Sequence, residues 1–145
     1  FTEKLISIDN FLIDLLNLNK SYNIRIASIK LFYSLTYNHF EVIHDFFKEN
    51  PDFDIFIDYI DTGYDDVIQI VFSIIGLICQ KISQMPEIPD YFYVLSQSSE
   101  LIDRINDFKD NDESSLQTQE CAYLVITEIK GTIEARNLDI EFNYE

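Results

Sequence analysis

A chain of 145 residues suits one domain that buries roughly two thirds of its unfolded surface, and 47% apolar with 14% aromatic residues describe a core former rather than a disordered segment. Ten Lys and Arg against 26 Asp and Glu leave a formal charge of -16, which repels phosphate backbones and anionic lipid alike, so neither nucleic acid nor a membrane is expected as partner. Only three Gly and three Pro leave few turns for a many-stranded sheet, and the expectation is an all-α chain.

Glu3 to Leu18 carries apolar residues at helical spacing, with a division near Asp9-Asn10. Asn19-Lys20-Ser21 interrupts it, and Ser21 or Asn23 is placed to cap a helix that runs to about Tyr37. After Asn38 and His39, the residues Phe40, Val42, Ile43, Phe46 and Phe47 mark a short helix. Asn50-Pro51 stops it, because the residue before Pro avoids helical geometry. Asp52 or Asp54 opens another through Ile60. Its partial alternation would suit a strand, but no partner strand is evident and helix is preferred. Thr62-Gly63 ends it, Gly taking the left-handed C-terminal position most readily.

The next stretch, Asp66 to Ile82 (DVIQIVFSIIGLICQKI), is the one that the others must enclose. Its few polar or small residues, Gln69, Ser73, Gly76 and Gln80, recur at steps of four, three and four, which is one narrow stripe of a helix. Neighbours should therefore cover roughly three quarters of its circumference. Asp65 and Asp66 suit its start through the helix dipole. The run from Val67 to Cys79, bounded by Asp66 and Lys81, is too short to span a bilayer. Met85-Pro86 and Ile88-Pro89 then bend the chain ahead of a short aromatic helix, Asp90 to Leu95. Ser98 or Ser99 caps Glu100 to Phe108, and Lys109 to Ser115 reads as a polar loop. The last helix spans about Gln117 to Arg136, with Cys121, Ala122, Val125, Ile126, Ile129 and Ile133 inward; the tail from Asn137 to Glu145 has no strong pattern.

These helices repeat. Ile24 to Phe32 aligns with Val67 to Ile75 at an offset of 43 residues, Phe11 to Leu16 echoes Ile55 to Ile60 at 44, and a third copy starts near Thr118, 51 residues on. The excess falls in the Lys109 to Ser115 loop, and such periods are those of helical solenoids. In IFIDYIDTGYDDVIQIVFSIIGLI, the Thr62-Gly63 break, the Asp65-Asp66-Val67 helix start and the small Gly76 resemble the armadillo family, over most of residues 11 to 136. That family's unit is a short first helix, a second ending near Gly and a longer third. The resemblance implies an all-α, armadillo-like right-handed α-solenoid of about three short repeats. It would form one domain over residues 1–145, as part of a longer solenoid or assembly. It also implies a concave groove to which each third helix shows a thin strip: Gln69, Ser73, Gly76 and Gln80 in the middle unit, Ile26, Lys30, Tyr33 and Tyr37 in the first, and Glu120, Leu124, Thr127 and Gly131 in the last. The residues expected to carry recognition are Lys30, Tyr33, Tyr37, Gln69, Ser73, Gln80 and Leu124. There is no Trp, and Leu77, Ser34 and Glu128 stand where importin-like members carry Asn, so nuclear-localisation peptides are not the expected cargo.

Chemistry motifs are missing from the sequence. No GxSxG, P-loop, HExxH or dinucleotide fingerprint occurs. Asp110-Asn111-Asp112 opens like a calcium loop, but Ser115 and Cys121 fall where Gly and Glu are needed. His39 and His44 do not share a helical face and have no nearby Cys, so no metal is expected. Asp14 and Asp58 are equivalent under the repeat and read as solvated positions rather than an acid/base pair. Cys79 and Cys121 read as buried free thiols of a reducing compartment, and Asn19-Lys20-Ser21 as a chance sequon. Tyr91, Phe92 and Tyr93 read as core beneath the bend, with a docking surface as the other use. Glu49, Asp52, Asp54, Asp58, Asp61, Asp65 and Asp66 form either a solubilising rim or, sharing a face, an attraction for a basic segment. The expectation is a non-catalytic, cofactor-free, cytoplasmic scaffold that presents a groove to a protein partner. The alternative is a structural subunit of a cytoskeletal or other multi-protein assembly, contacting neighbours through its ends and convex faces.

Overall fold

The computed structural model describes residues 21–61 and 64–138. Among them are seven helices and no strand: α1 (Tyr22–Asn38), α2 (Phe40–Glu49), α3 (Asp54–Ile60), α4 (Asp65–Ser83), α5 (Asp90–Gln97), α6 (Ser99–Asp110) and α7 (Leu116–Ala135). The helix expected before residue 19, its echo of α3, the Thr62-Gly63 turn, Asp14 and the tail from residue 139 lie outside the described residues.

The boundaries follow local chemistry. Asp52 Oδ1 accepts from the Asp54 N–H at 2.9 Å and so holds the start of α3 from just outside it. Ser98 Oγ accepts from the Leu101 N–H and Ser115 Oγ from the Thr118 N–H, true side-chain caps of α6 and α7. Asp65 and Asp66 in the first turn of α4 and Lys81 in its last complement the dipole. Lys109 and Asp110, expected in the loop, complete α6 instead. Polar residues in a final turn leave no apolar signal by which to place a boundary.

The long helices lie side by side, α4 between α1 and α7, while α2 meets α5 and α3 meets α6. All three long helices run in the same direction. Tyr22 donates to Asp66 near the starts of α1 and α4, and the Lys81 ammonium sits over the Tyr37 ring near their ends. Gln69 reaches Thr118 and Gln80 reaches Glu128, so α4 and α7 also ascend together. Their first residues, Tyr22, Asp65 and Leu116, are 43 and 51 residues apart. Side-chain hydrogen bonds keep the same period. Tyr22–Asp66, His44–Tyr91, Gln69–Thr118, Gln80–Glu128, Arg104–Asp61 and Arg136–Ser83 span 44, 47, 49, 48, 43 and 53 residues.

Ten of the nineteen residues of α4 are buried. By length and composition alone this helix could cross a bilayer, although its strictly apolar run is shorter; its burial between α1 and α7 is that of a core helix. Tyr91 and Phe92 are core, as the aromatic run implied, with Tyr93 half-buried.

Gly76 is buried in α4, and a Cβ there would stand 4.0 Å from Glu128 Cγ, an ordinary contact. Gly76→Ala is therefore expected to stabilise the fold by about 0.5–1 kcal/mol, through lost unfolded-state entropy alone. A urea titration showing destabilisation instead would mean that α7 lies closer to α4 than this.

Candidate functional site

Between Val67 and Ile82 of α4, Ser73 and Gln80 are exposed and Gln69, Ile70, Leu77 and Lys81 half-buried; the rest is buried. Two polar side chains exposed on an apolar helix mark the line along which neighbours leave it open. Gly76, expected on that line, has little exposure of its own beside the Glu128 stem but lines the opening together with Leu77.

On one flank, Ser73, Leu77, Gln80, Leu124 and Glu128 line a depression of about 260 Å³ between α4 and α7. Gln80 Nε2 donates to Glu128 Oε1 at 3.3 Å across it. Cys121 also lines it and is half-buried rather than inward, because α7 is covered by α4 and α6 from one side. Burial raises its thiol pKa, with a smaller push from the Glu120 charge. On the other flank Tyr33 and Tyr37 stack with ring centroids 6.5 Å apart, and the Lys81 ammonium lies 5.7 Å from the Tyr37 centroid.

The expected recognition residues thus divide. Ser73, Gln80 and Leu124 share one depression, and Tyr33 with Tyr37 form the neighbouring aromatic wall. Lys30 is exposed on α1. Gln69 is committed elsewhere: its Nε2 donates to Thr118 Oγ1 at 2.9 Å, which ties α4 to the buried start of α7. Lys81 and Glu128 were missing from the expected set. Their signal was present, since each lies one residue or one turn from a position on the open line once the repeat is laid out.

An acidic surface runs from the end of α2 to the start of α4. Glu49, Asp52, Asp54, Asp58, Asp61, Asp65 and Asp66 are all exposed, and Asp54, Asp58 and Asp61 fall on one side of α3. Asp61 accepts from Arg104 Nε at 2.9 Å and Nη2 at 3.1 Å, a bidentate pair that holds its carboxyl below the usual range.

A larger depression, about 970 Å³, lies between α2, the Met85–Pro89 bend and α5. His44 Nδ1 and the Tyr91 hydroxyl share a 2.8 Å hydrogen bond at its wall. Burial, and then the Lys48 charge, lower the His44 pKa, so the ring is neutral at pH 7. Among the described residues no group of three or more His, Cys, Asp or Glu is placed to hold a metal ion. Comparison with known protein families, with curated proteins and with solved structures gives no match for this chain.

Proposed function

We propose that this chain is an armadillo-like helical-repeat module that binds an extended segment of another protein along the open line of α4. The repetition of packing in register carries the reading: parallel long helices beginning at Tyr22, Asp65 and Leu116, with α2 on α5 and α3 on α6, place each helix against its counterpart one period away. In such a layered array the middle helix keeps a thin polar line free; here α4 offers a hydroxyl, an amide and a leucine, beside the paired tyrosines of α1. That combination serves recognition of a polypeptide, with tyrosine for area and the polar groups for hydrogen bonds. The acidic rim favours a segment carrying Lys or Arg.

Ser73→Tyr, which fills the floor, and Tyr37→Ala, which removes a wall, are each expected to weaken binding to an array of extended Lys- and Arg-containing peptides by about tenfold, with the helical circular dichroism unchanged. Affinity that ignores both substitutions would remove the α4 line from the proposal. A second role, as a structural subunit, is favoured by the apolar side chains left open at the two ends: Ile24 at 50% and Leu31 at 41% exposure on α1, Leu116 at 70% and Tyr123 at 60% on α7.

A further inference from the structure

The open line of α4 changes sign along its length. Asp65 and Asp66 lie at its start, next to the acidic surface of α3, whereas Lys81 lies at its end with its ammonium 5.7 Å from the Tyr37 ring. Tyr33 stacks on Tyr37, and Lys30, three residues before Tyr33, is exposed on the same face of α1. Helix α1 carries no acid, and among the described residues neither Lys30 nor Lys81 is paired with a carboxylate. Glu128, across the line, is committed to Gln80. Two lysines and two stacked tyrosines thus form a basic, aromatic strip on a chain whose formal charge is -16. A partner segment rich in Lys or Arg makes no use of them; an acidic one does.

The chain carries such a segment itself. Residues 139–145 read Asp-Ile-Glu-Phe-Asn-Tyr-Glu, with three acids and no base, and in an extended backbone Ile140, Phe142 and Tyr144 fall on one side. They follow α7 at the fitting end of the fold. The Arg136 guanidinium donates to the carbonyls of Ser83 at 3.1 Å, Pro86 at 3.3 Å and Met85, which pins the end of α7 beside the end of α4. From there to Tyr37 is at most two helix spacings, roughly 20 Å, and seven extended residues reach about 23 Å. The register agrees too: Glu141 and Glu145 stand roughly 13 Å apart in an extended segment, and Lys30 lies about 10 Å along α1 from the Tyr37 ring that holds Lys81.

We infer that residues 139–145 dock on this strip of their own chain, Glu141 at Lys81 and Glu145 at Lys30, with the apolar side of the segment on Leu77 and the tyrosine rings. The docked segment covers the end of the α4 line, so a partner that needs the whole line must first displace it. That consequence rests on the reading of the line as a binding groove; the docking itself does not. Exposed ion pairs are weak one by one, but a tether holds the segment near its strip at an effective concentration of the order of mM, where weak contacts suffice.

Tyr144→Trp in the full chain tests this, because the sequence has no Trp and the introduced indole reports alone. The indole is expected to be shielded from acrylamide quenching, and added salt should expose it, since the attraction is ionic. Lys30→Glu together with Lys81→Glu should weaken docking by about tenfold and expose the indole, two ion pairs having become repulsions. Adding Glu141→Lys and Glu145→Lys to that background reverses the other side of each pair and should restore the shielding, which excludes damage to the fold as the cause. An indole fully open to acrylamide before any lysine is changed overturns the inference. So does shielding that survives reversal of both lysines, or that Lys130→Glu abolishes, which puts the segment on α7. The reporter needs no partner, so shielding that the two lysines control supports the docking even if the peptide array finds no ligand for the α4 line.

Discussion

Phe47→Ala is expected to destabilise the fold by about 3–5 kcal/mol, about a fifth or more of the 5–15 kcal/mol that holds a typical domain together. The reason is where this one ring sits. Phe47 is fully buried on α2, stacks on Phe53 at 4.7 Å, and has further ring neighbours in Phe32 of α1, Phe46 of α2, Phe56 of α3 and Tyr91 of α5. Removing it leaves a cavity bounded by four helices and the α2–α3 turn. None of them can close it alone, because each is fixed by its other contacts. Val94→Ala, at a position 44% exposed on α5, should stay within about 0.5 kcal/mol. Urea titration should show a lower midpoint for Phe47→Ala with an unchanged slope. A loss below 1 kcal/mol would mean that the aromatic centre is not shared among α1, α2, α3 and α5.

The helices, their order and the burial of α4 were legible because apolar spacing is a local property and every long helix here keeps it. Ser98 was legible as a cap for the same reason, since a cap acts within three residues, whereas Ser115, read as the end of a polar loop, proves to cap α7. Gly76 lines the expected opening yet is buried, because the Glu128 stem of α7 lies beside it at an ordinary contact distance, which spacing on one helix cannot show. Cys121 carries the same pattern as its buried neighbours in sequence, yet α7 has company on one side only and the thiol is left half-covered. The His44–Tyr91 and Arg104–Asp61 ties were invisible for another reason. Their partners sit 47 and 43 residues away, and which polar pairs meet depends on the register of stacked layers rather than on any local signal.

Raising the pH should destabilise the fold through Cys79 before any tyrosine contributes. The thiol is fully buried in α4, and its pKa is pushed far above the ordinary thiol range, first by burial and then by the Glu128 charge. In the unfolded chain the same thiol ionises near 8.5. Below about that pH both states hold the proton and the stability is fully present. Above it the unfolded state releases the proton while the folded state keeps it, so stability falls by about 1.4 kcal/mol per pH unit, or about 2 kcal/mol by pH 10. Tyr91, also raised first by burial and then by the Asp45 charge, and Tyr59, raised by burial against the opposing Arg25 charge, steepen the fall only above about 10, where free tyrosine ionises. Unfolding free energies measured from pH 7 to 10 for the wild type and Cys79→Ala isolate the thiol from the rising repulsion of an already acidic chain. The difference between the two should open only above about 8.5, with the variant losing the less. Parallel pH curves would mean that Cys79 ionises in the folded state, and then α4 is not enclosed between its neighbours.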